Sequence, residues 1–160
     1  MILTNHRFQL RWFNLRAFHL FMKTPISIYV VQTDLVWENT NQNLLRMQWH
    51  IQRTEPNSMV LLPEMFNTGF SMDTPKIAEP MNASVGKWMA EKSKKYTIAG
   101  SFAVKEHDQY LNRIGVFQNQ KCIGTYDKKH LFTLGDEDQH FQSDSMGSKT
   151  FKTPTSSFIV

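Results

Sequence analysis

The sequence predicts an α/β fold built on a mixed sheet, and three observations carry that expectation. Up to about residue 101, short apolar runs rich in β-branched residues alternate with helix-like stretches. Beyond that point strand-like runs follow one another across short polar turns with no helix between them, the pattern of antiparallel additions to a sheet. A length of 160 residues, 41% of them hydrophobic and 12% aromatic, supplies enough material for one domain with a real core.

The elements follow in order. Residues 26–32 form an apolar run between Pro25 and the polar Thr33-Asp34, which reads as a buried strand. Residues 41–53 lack Gly and Pro, and Leu44, Leu45, Gln48 and Ile51 fall near one helical face, with Asn39 or Asn41 available as the cap. Residues 58–62 are a second apolar strand ended by Pro63, so Glu64 stands just past a strand's carboxyl end. A loop holding Gly69 and Pro75 leads to a helix over residues 83–95 that buries Val85, Trp88 and Met89. Residues 96–101 give a third strand with Gly100 inside it, and residues 102–104, 111–117 and 122–126 are the antiparallel additions. After Phe141 the chain turns polar before a last apolar Phe158-Ile159-Val160.

Charge and cysteine usage narrow the function classes. Residues 1–33 hold Arg7, Arg11, Arg16 and Lys23 and no acid, whereas the rest of the chain carries 14 basic and 14 acidic groups. The net charge of +4 is therefore an N-terminal property, and the balanced body lacks the basic footprint of a nucleic-acid binder. Residues 1–21 mix arginines into their apolar residues every four or five positions and read as a non-structural upstream extension, with Met22 as the natural start and residues 22–160 as the domain. No run of 18 apolar residues exists to span a membrane. Cys122 is the one cysteine, which excludes an intrachain disulfide and makes a cytoplasmic setting the default.

Several common sites fail on inspection. There is no Walker-type loop, no zinc-type Cys pairing and no His-Glu-x-x-His. Gly69-Phe70-Ser71-Met72 begins like a nucleophile elbow, but Asp73 stands where the second Gly must permit the strained turn. His130 and His140, ten apart with no Cys partner, do not make a metal pair. No cofactor and no metal is expected.

Two segments remain, PEMFNTGFSM at residues 63–72 and YDKKHLFTLGDE at residues 126–137. Each puts a charged group beside a strand end, and open α/β sheets collect ligand sites outside those ends. Glu64 and Lys128 are thus candidates to converge although 64 residues separate them. On chemistry alone two readings stand: an ordinary salt bridge, or a buried pair tuned so that the carboxylate serves as a base and the ammonium as an oxyanion donor.

The two segments, in this order, resemble the nitrilase superfamily of carbon–nitrogen hydrolases. Strand-Pro-Glu before a Gly-containing loop, then Tyr-x-Lys-x-His-Leu-Phe, is how its members present two of their three catalytic groups. The likeness runs from about Met22 to Phe141 and includes Asp34 with Trp37, Asn43, Ala99-Gly100-Ser101 and Asn112-Arg113. Carried over by position, it implies Glu64 as general base, Lys128 as the cation that stabilises the transition state and Glu137 as a second glutamate near the site. Lys129 falls at a variable, solvated position, and His130 is expected to be a buried structural group. Phe66, Phe70 and Met72, with residues 132–137, are most similar to the bacterial omega-amidase branch, whose members hydrolyse the terminal amide of short 2-oxo acid amides. The resemblance implies a nitrilase-like α-β-β-α sandwich, a small-molecule amide substrate and a homo-oligomer.

The departures from the family pattern are equally definite. The third group is a Cys in a Cys-Tyr-Asp-type segment on a later strand, and no Cys follows Lys128. Beyond Phe141 the pattern fades, with Ser143-Asp144 in place of a small residue and Gly, and the following strand is not recognisable. Residues 22–160 are therefore expected to be a C-terminally truncated, incomplete hydrolase domain, inactive by itself; the alternative is a non-catalytic fragment that pairs with an intact relative. Cys122 is no substitute. Even spacing puts it on the same sheet face as Lys128, but six residues at about 3.3 Å each separate the backbones by roughly 20 Å. It reads as a small packing residue.

Overall fold

The computed structural model describes residues 26–144, 150–152 and 157–159, the last three as backbone. The reading of residues 1–21 as an extension lies outside the described residues. Three segments build the first half: β1 (Ile28–Val30), α1 (Thr40–Ile51) and β2 (Met59–Leu61). A short α2 (Thr74–Ile77) and then α3 (Ser84–Lys92) lead into β3 (Thr97–Glu106), β4 (Gln109–Gln118) and β5 (Lys121–Asp127). A single turn of 3-10 helix (Thr133–Gly135), α4 (Glu137–His140), β6 (Thr150–Lys152) and β7 (Ser157–Ile159) follow.

The first five strands form one sheet in sequence order, with β1, β2 and β3 parallel and β3, β4 and β5 antiparallel. The mixed sheet expected from the sequence is present, and β6 and β7 pair as a separate two-stranded ladder. The described residues thus hold one helix layer, one sheet and part of what covers its second face. None of their helices is long and apolar enough to cross a membrane.

The main core lies between the sheet and the helices. Met47 and Ile51 of α1, with Val85 and Met89 of α3, pack on Val60, Ile98, Phe102, Val104 and Phe117. Burial on this scale is what holds helices of 12 and 9 residues in place. The buried stripe of α1 is Asn43, Met47 and Ile51, so the face expected from Leu44 and Leu45 is rotated and Leu45 stays 67% exposed. Asn43 causes the rotation. Its side chain accepts from the Val36 N–H at 2.8 Å and donates to the Val36 and Asn67 carbonyls at 2.7 and 2.9 Å. It ties the loops after β1 and β2 together, a polar anchor that apolar periodicity does not register. Asn39 caps the helix as expected, accepting from the Gln42 N–H.

Other expectations shift in informative ways. β1 was expected to be buried, but among the described residues it is the edge strand of the sheet, and its Ile28 and Val30 are exposed. Residues 97–106 make one continuous strand where the sequence suggested a break after Ser101, because β3 has its first eight residues buried and pairs with β4 along almost its whole length. Helix α2, with Asp73 at its start and Pro75 in its first turn, lies in what read as loop.

Candidate active site

Each candidate residue is held by backbone that the sheet itself fixes. Past Pro63 the chain turns sharply: Met65 has a φ of 46°, its N–H donates to Ser101 Oγ at 3.0 Å, and the Phe66 N–H donates to the Ser101 carbonyl at 3.2 Å. Phe66 is fully buried against Trp88 and Phe102. Gly100 allows this approach, since a Cβ there would stand 2.9 Å from Leu62 Cβ and 3.1 Å from the Phe66 ring. With Met65 and Phe66 anchored inward, Glu64 is left at the surface beside the strand ends.

Lys128 arrives from the far side of the sheet. Its N–H donates to the Asn112 carbonyl at 2.9 Å, extending the β4–β5 ladder one residue past β5. Glu137 opens α4, and its loop closes on itself: the Phe132 N–H donates to Glu137 Oε2 at 2.7 Å, and the Glu137 N–H returns to the Phe132 carbonyl.

The three groups meet. Lys128 Nζ donates to Glu64 Oε1 and to Glu137 Oε2, both at 2.8 Å, so the convergence expected from two strand ends is present. Asn112 completes the cluster, its Nδ2 donating to Glu64 Oε1 at 2.8 Å and to Glu137 Oε1 at 2.9 Å. The Phe70 ring, 5.0 Å from Lys128 Nζ, covers the ammonium and touches Phe132 edge-on. The two sequence motifs are therefore in contact.

The two acids occupy different environments. Glu137 is wholly buried, and both its oxygens are engaged. Burial pushes its carboxyl upward, but the hydrogen bonds from Asn112, Lys128 and the Phe132 N–H outweigh that and hold it below the usual carboxylate range. Burial pulls the Lys128 ammonium down, and its bonds to Glu137 and Glu64 outweigh that in turn, holding it above the usual range. Glu64 is half exposed, and its Oε2 accepts no hydrogen bond among the described residues. With one oxygen unbonded beside a fixed ammonium, Glu64 is placed to take a proton from a bound group, whereas Glu137 is placed to hold the lysine.

Glu64, Ser101, Asn112 and Lys128 line a cavity of about 560 Å³, whose remaining wall is the apolar sheet face of Ile28, Met59, Leu61, Ile114 and Tyr126. Cys122 is elsewhere. A β-bulge offsets the register between Val116 and Phe117, pairing Cys122 with Phe117, whose side chain belongs to the helix-side core. The even-spacing expectation of a face shared with Lys128 therefore fails, and Cys122 is exposed rather than packed. His130, expected to be buried, is exposed, as is Lys129. The sequence reading gave no role to Asn112; the available signal was a polar residue in register with the inward Ile114 and Val116 of β4.

Comparison with known proteins gives the family. The carbon–nitrogen hydrolase family profile matches residues 28–158. This chain belongs to that family. The match runs past Phe141, so the expectation that the pattern is lost there is corrected: β6 falls within it, and it ends inside β7. The chain is similar to the omega-amidase YafV of Yersinia enterocolitica, 31% identical over 120 residues that make up 74% of this chain and 46% of that protein. It is 29% identical to YafV of Escherichia coli K12 over shares of the same size. It spans about half the length of these curated relatives. Its fold is shared by XC1258 of Xanthomonas campestris, a CN-hydrolase superfamily protein, with a TM-score of 0.75 at 23% identity over 81% of this chain and 50% of that one. Saccharomyces cerevisiae Nit3, of the nitrilase superfamily, superposes with a TM-score of 0.69 at 21% identity over 82% of this chain and 53% of that one. The family and fold expected from the two motifs are those found.

Proposed function

We propose that these residues supply the proton-handling half of an amidase site for short 2-oxo acid amides, as in an omega-amidase. The observation that carries the reading is Lys128, bonded at 2.8 Å to both Glu64 and Glu137 at the mouth of the cavity. In the reaction a thiol attacks the amide carbon and gives up its proton to Glu64 Oε2, while Lys128 donates toward the developing oxyanion. Glu64 then returns the proton to the departing nitrogen, ammonia leaves, and water cleaves the acyl-enzyme with Glu64 again taking a proton. The thiol of that reaction is not Cys122, and the 160 residues alone are inactive. A cytoplasmic setting suits a chain whose single cysteine is unpaired.

The test has two arms. Purified protein incubated with short 2-oxo acid amides is expected to release no ammonia above background; turnover that disappears in Cys122→Ala overturns the claim of inactivity. The same amides are expected to perturb the NMR signals of Asn112 and Ser101 in the wild-type chain and not in Lys128→Met. Signals that stay unmoved at saturating amide overturn the substrate class.

A second reading, a non-catalytic partner of an intact relative, is favoured by the exposed apolar Ile28 and Val30 on the open side of β1. Light scattering of the chain alone and mixed with such a relative distinguishes the two, since a mixed particle supports partnership.

A further inference from the structure

Asn112 lies at the centre of the cluster, and its chemistry answers a charge problem. Two carboxylates share one ammonium, leaving a surplus negative charge around a wholly buried Glu137. Acids this close ordinarily resolve the surplus by one of them taking up a proton. Lys128 can neutralise only one.

We propose that Asn112 is a positioning residue that keeps the buried Glu137 ionised beside the single lysine and ties Glu64 to it, by giving one proton of its side-chain amide to each glutamate. A primary amide nitrogen has two N–H donors and no charge. Here it stands 2.8 Å from Glu64 Oε1 and 2.9 Å from Glu137 Oε1. The opposite orientation would set a carbonyl oxygen against two carboxylates, so the assignment of nitrogen and oxygen follows from the partners. The result is a closed ring of Glu64, Lys128, Glu137 and Asn112.

The ring is rigid because Asn112 sits mid-strand in β4, paired with Ala103, its carbonyl accepting from the Lys128 N–H. The titratable groups facing it are Glu64 from the loop after β2, Lys128 from the end of β5 and Glu137 from α4; Tyr126 lines the same cavity. Arg113, Glu106 and Asp127 pair with one another, and Arg113 lies on the other face of β4. Among the groups that counter the burial of Glu137, the Asn112 bond is the largest. With Glu64 Oε1 bonded twice, only its Oε2 remains for a substrate proton.

The inference rests on the base-and-cation reading for its place in amide hydrolysis, but its test needs no turnover. In the full 160-residue chain labelled with carbon-13 and nitrogen-15, the side-chain carboxyl carbons of Glu64 and Glu137 and both amide protons of Asn112 are followed through the acid range. Both amide protons are expected to move with the midpoint of Glu137. In Asn112→Leu, which keeps the branched outline and removes the donors, the Glu137 midpoint is expected to rise by about one pH unit or more, a tenfold change in its proton affinity. Asn112→Ser, with one donor, is expected to fall between. A folded Asn112→Leu protein with the Glu137 midpoint in place, or wild-type amide protons indifferent to Glu137, overturns the proposal. If the leucine variant does not fold, the wild-type amide protons decide alone. Failure of the amide-binding experiment beside a positive result here would overturn the substrate and leave the positioning role standing.

Discussion

The two faces of the central sheet are built on different terms. On the helix face, Val60, Ile98, Phe102 and Val104 are completely buried under α1 and α3. On the other face, Met59, Ala99 and Val116 are joined by Phe151 of β6, whose ring lies over Gly124, and beside this patch the sheet opens into the cavity. One face is a finished core. The other is an apolar wall with the polar ring of Glu64, Lys128, Glu137 and Asn112 at one end. The contrast teaches that stability and chemistry are divided by side-chain parity along the strands: Phe102 points to one side, while Ser101 and Asn112 point to the other.

The sharpest way to break that comparison is to truncate one large residue on each face. Phe102→Ala should cost about 3–5 kcal/mol, the range for an enclosed aromatic, while Leu61→Ala on the partly open face should cost about 1 kcal/mol. Urea unfolding of both variants measures the difference, and equal losses would mean that the second face is as well packed as the first.

Next in size is the polar ring. Lys128→Met removes the ammonium from a buried carboxylate and should cost about 3 kcal/mol, the low end for breaking a buried pair because the lysine side chain is 26% exposed. Loss in the same denaturation assay of less than about 0.5 kcal/mol would place the lysine among surface ion pairs.

The pH dependence of stability sharpens the assignment to the ring. Glu137 is held below its usual range when folded, so its contribution is complete above the unfolded value of about 4.3 and is lost as pH falls through the lower folded value. Lys128 is held above its usual range, so its contribution is complete below about 10.4 and is lost as pH rises through the higher folded value. Unfolding free energies measured down to about pH 3 should therefore fall less steeply in Glu137→Gln than in the wild type. Identical acid limbs would remove Glu137 from this role.

The smallest effect is expected at the open edge. Val30 is 73% exposed, and Val30→Thr should change stability by no more than about 0.5 kcal/mol. A thermal melt showing a larger loss would indicate that something covers this edge in solution.

Much of the fold was legible because local patterns and tertiary demands coincided. The strand order in the chain is the strand order in the sheet, so runs read singly also assembled correctly. Motif residues Glu64 and Lys128 were legible for a different reason: a strand end followed by a turn is a local feature, and each of the two sits just past one, whereas Glu137, at the start of α4, was reached only through the family resemblance. The buried face of α1 was misread because Asn43 enters the core through three hydrogen bonds that no apolar pattern contains. The face of Cys122 was misread because a bulge changes side-chain parity, and bulges leave little trace in a short strand.

By itself, then, the sequence determined the type of the five strands of the main sheet and of the two longer helices, the α/β class and the two charged motifs that mark the family, since each depends on residues close together in the chain. Only the tertiary structure decided which oxygen of Glu64 is free, that Glu137 is wholly buried, and that Asn112 joins the two acids. Those facts depend on distances of 2.8 and 2.9 Å between residues 25 and 48 positions apart. Spacing along a chain cannot specify such distances, because they are set by how β4 lies against the ends of β2 and β5.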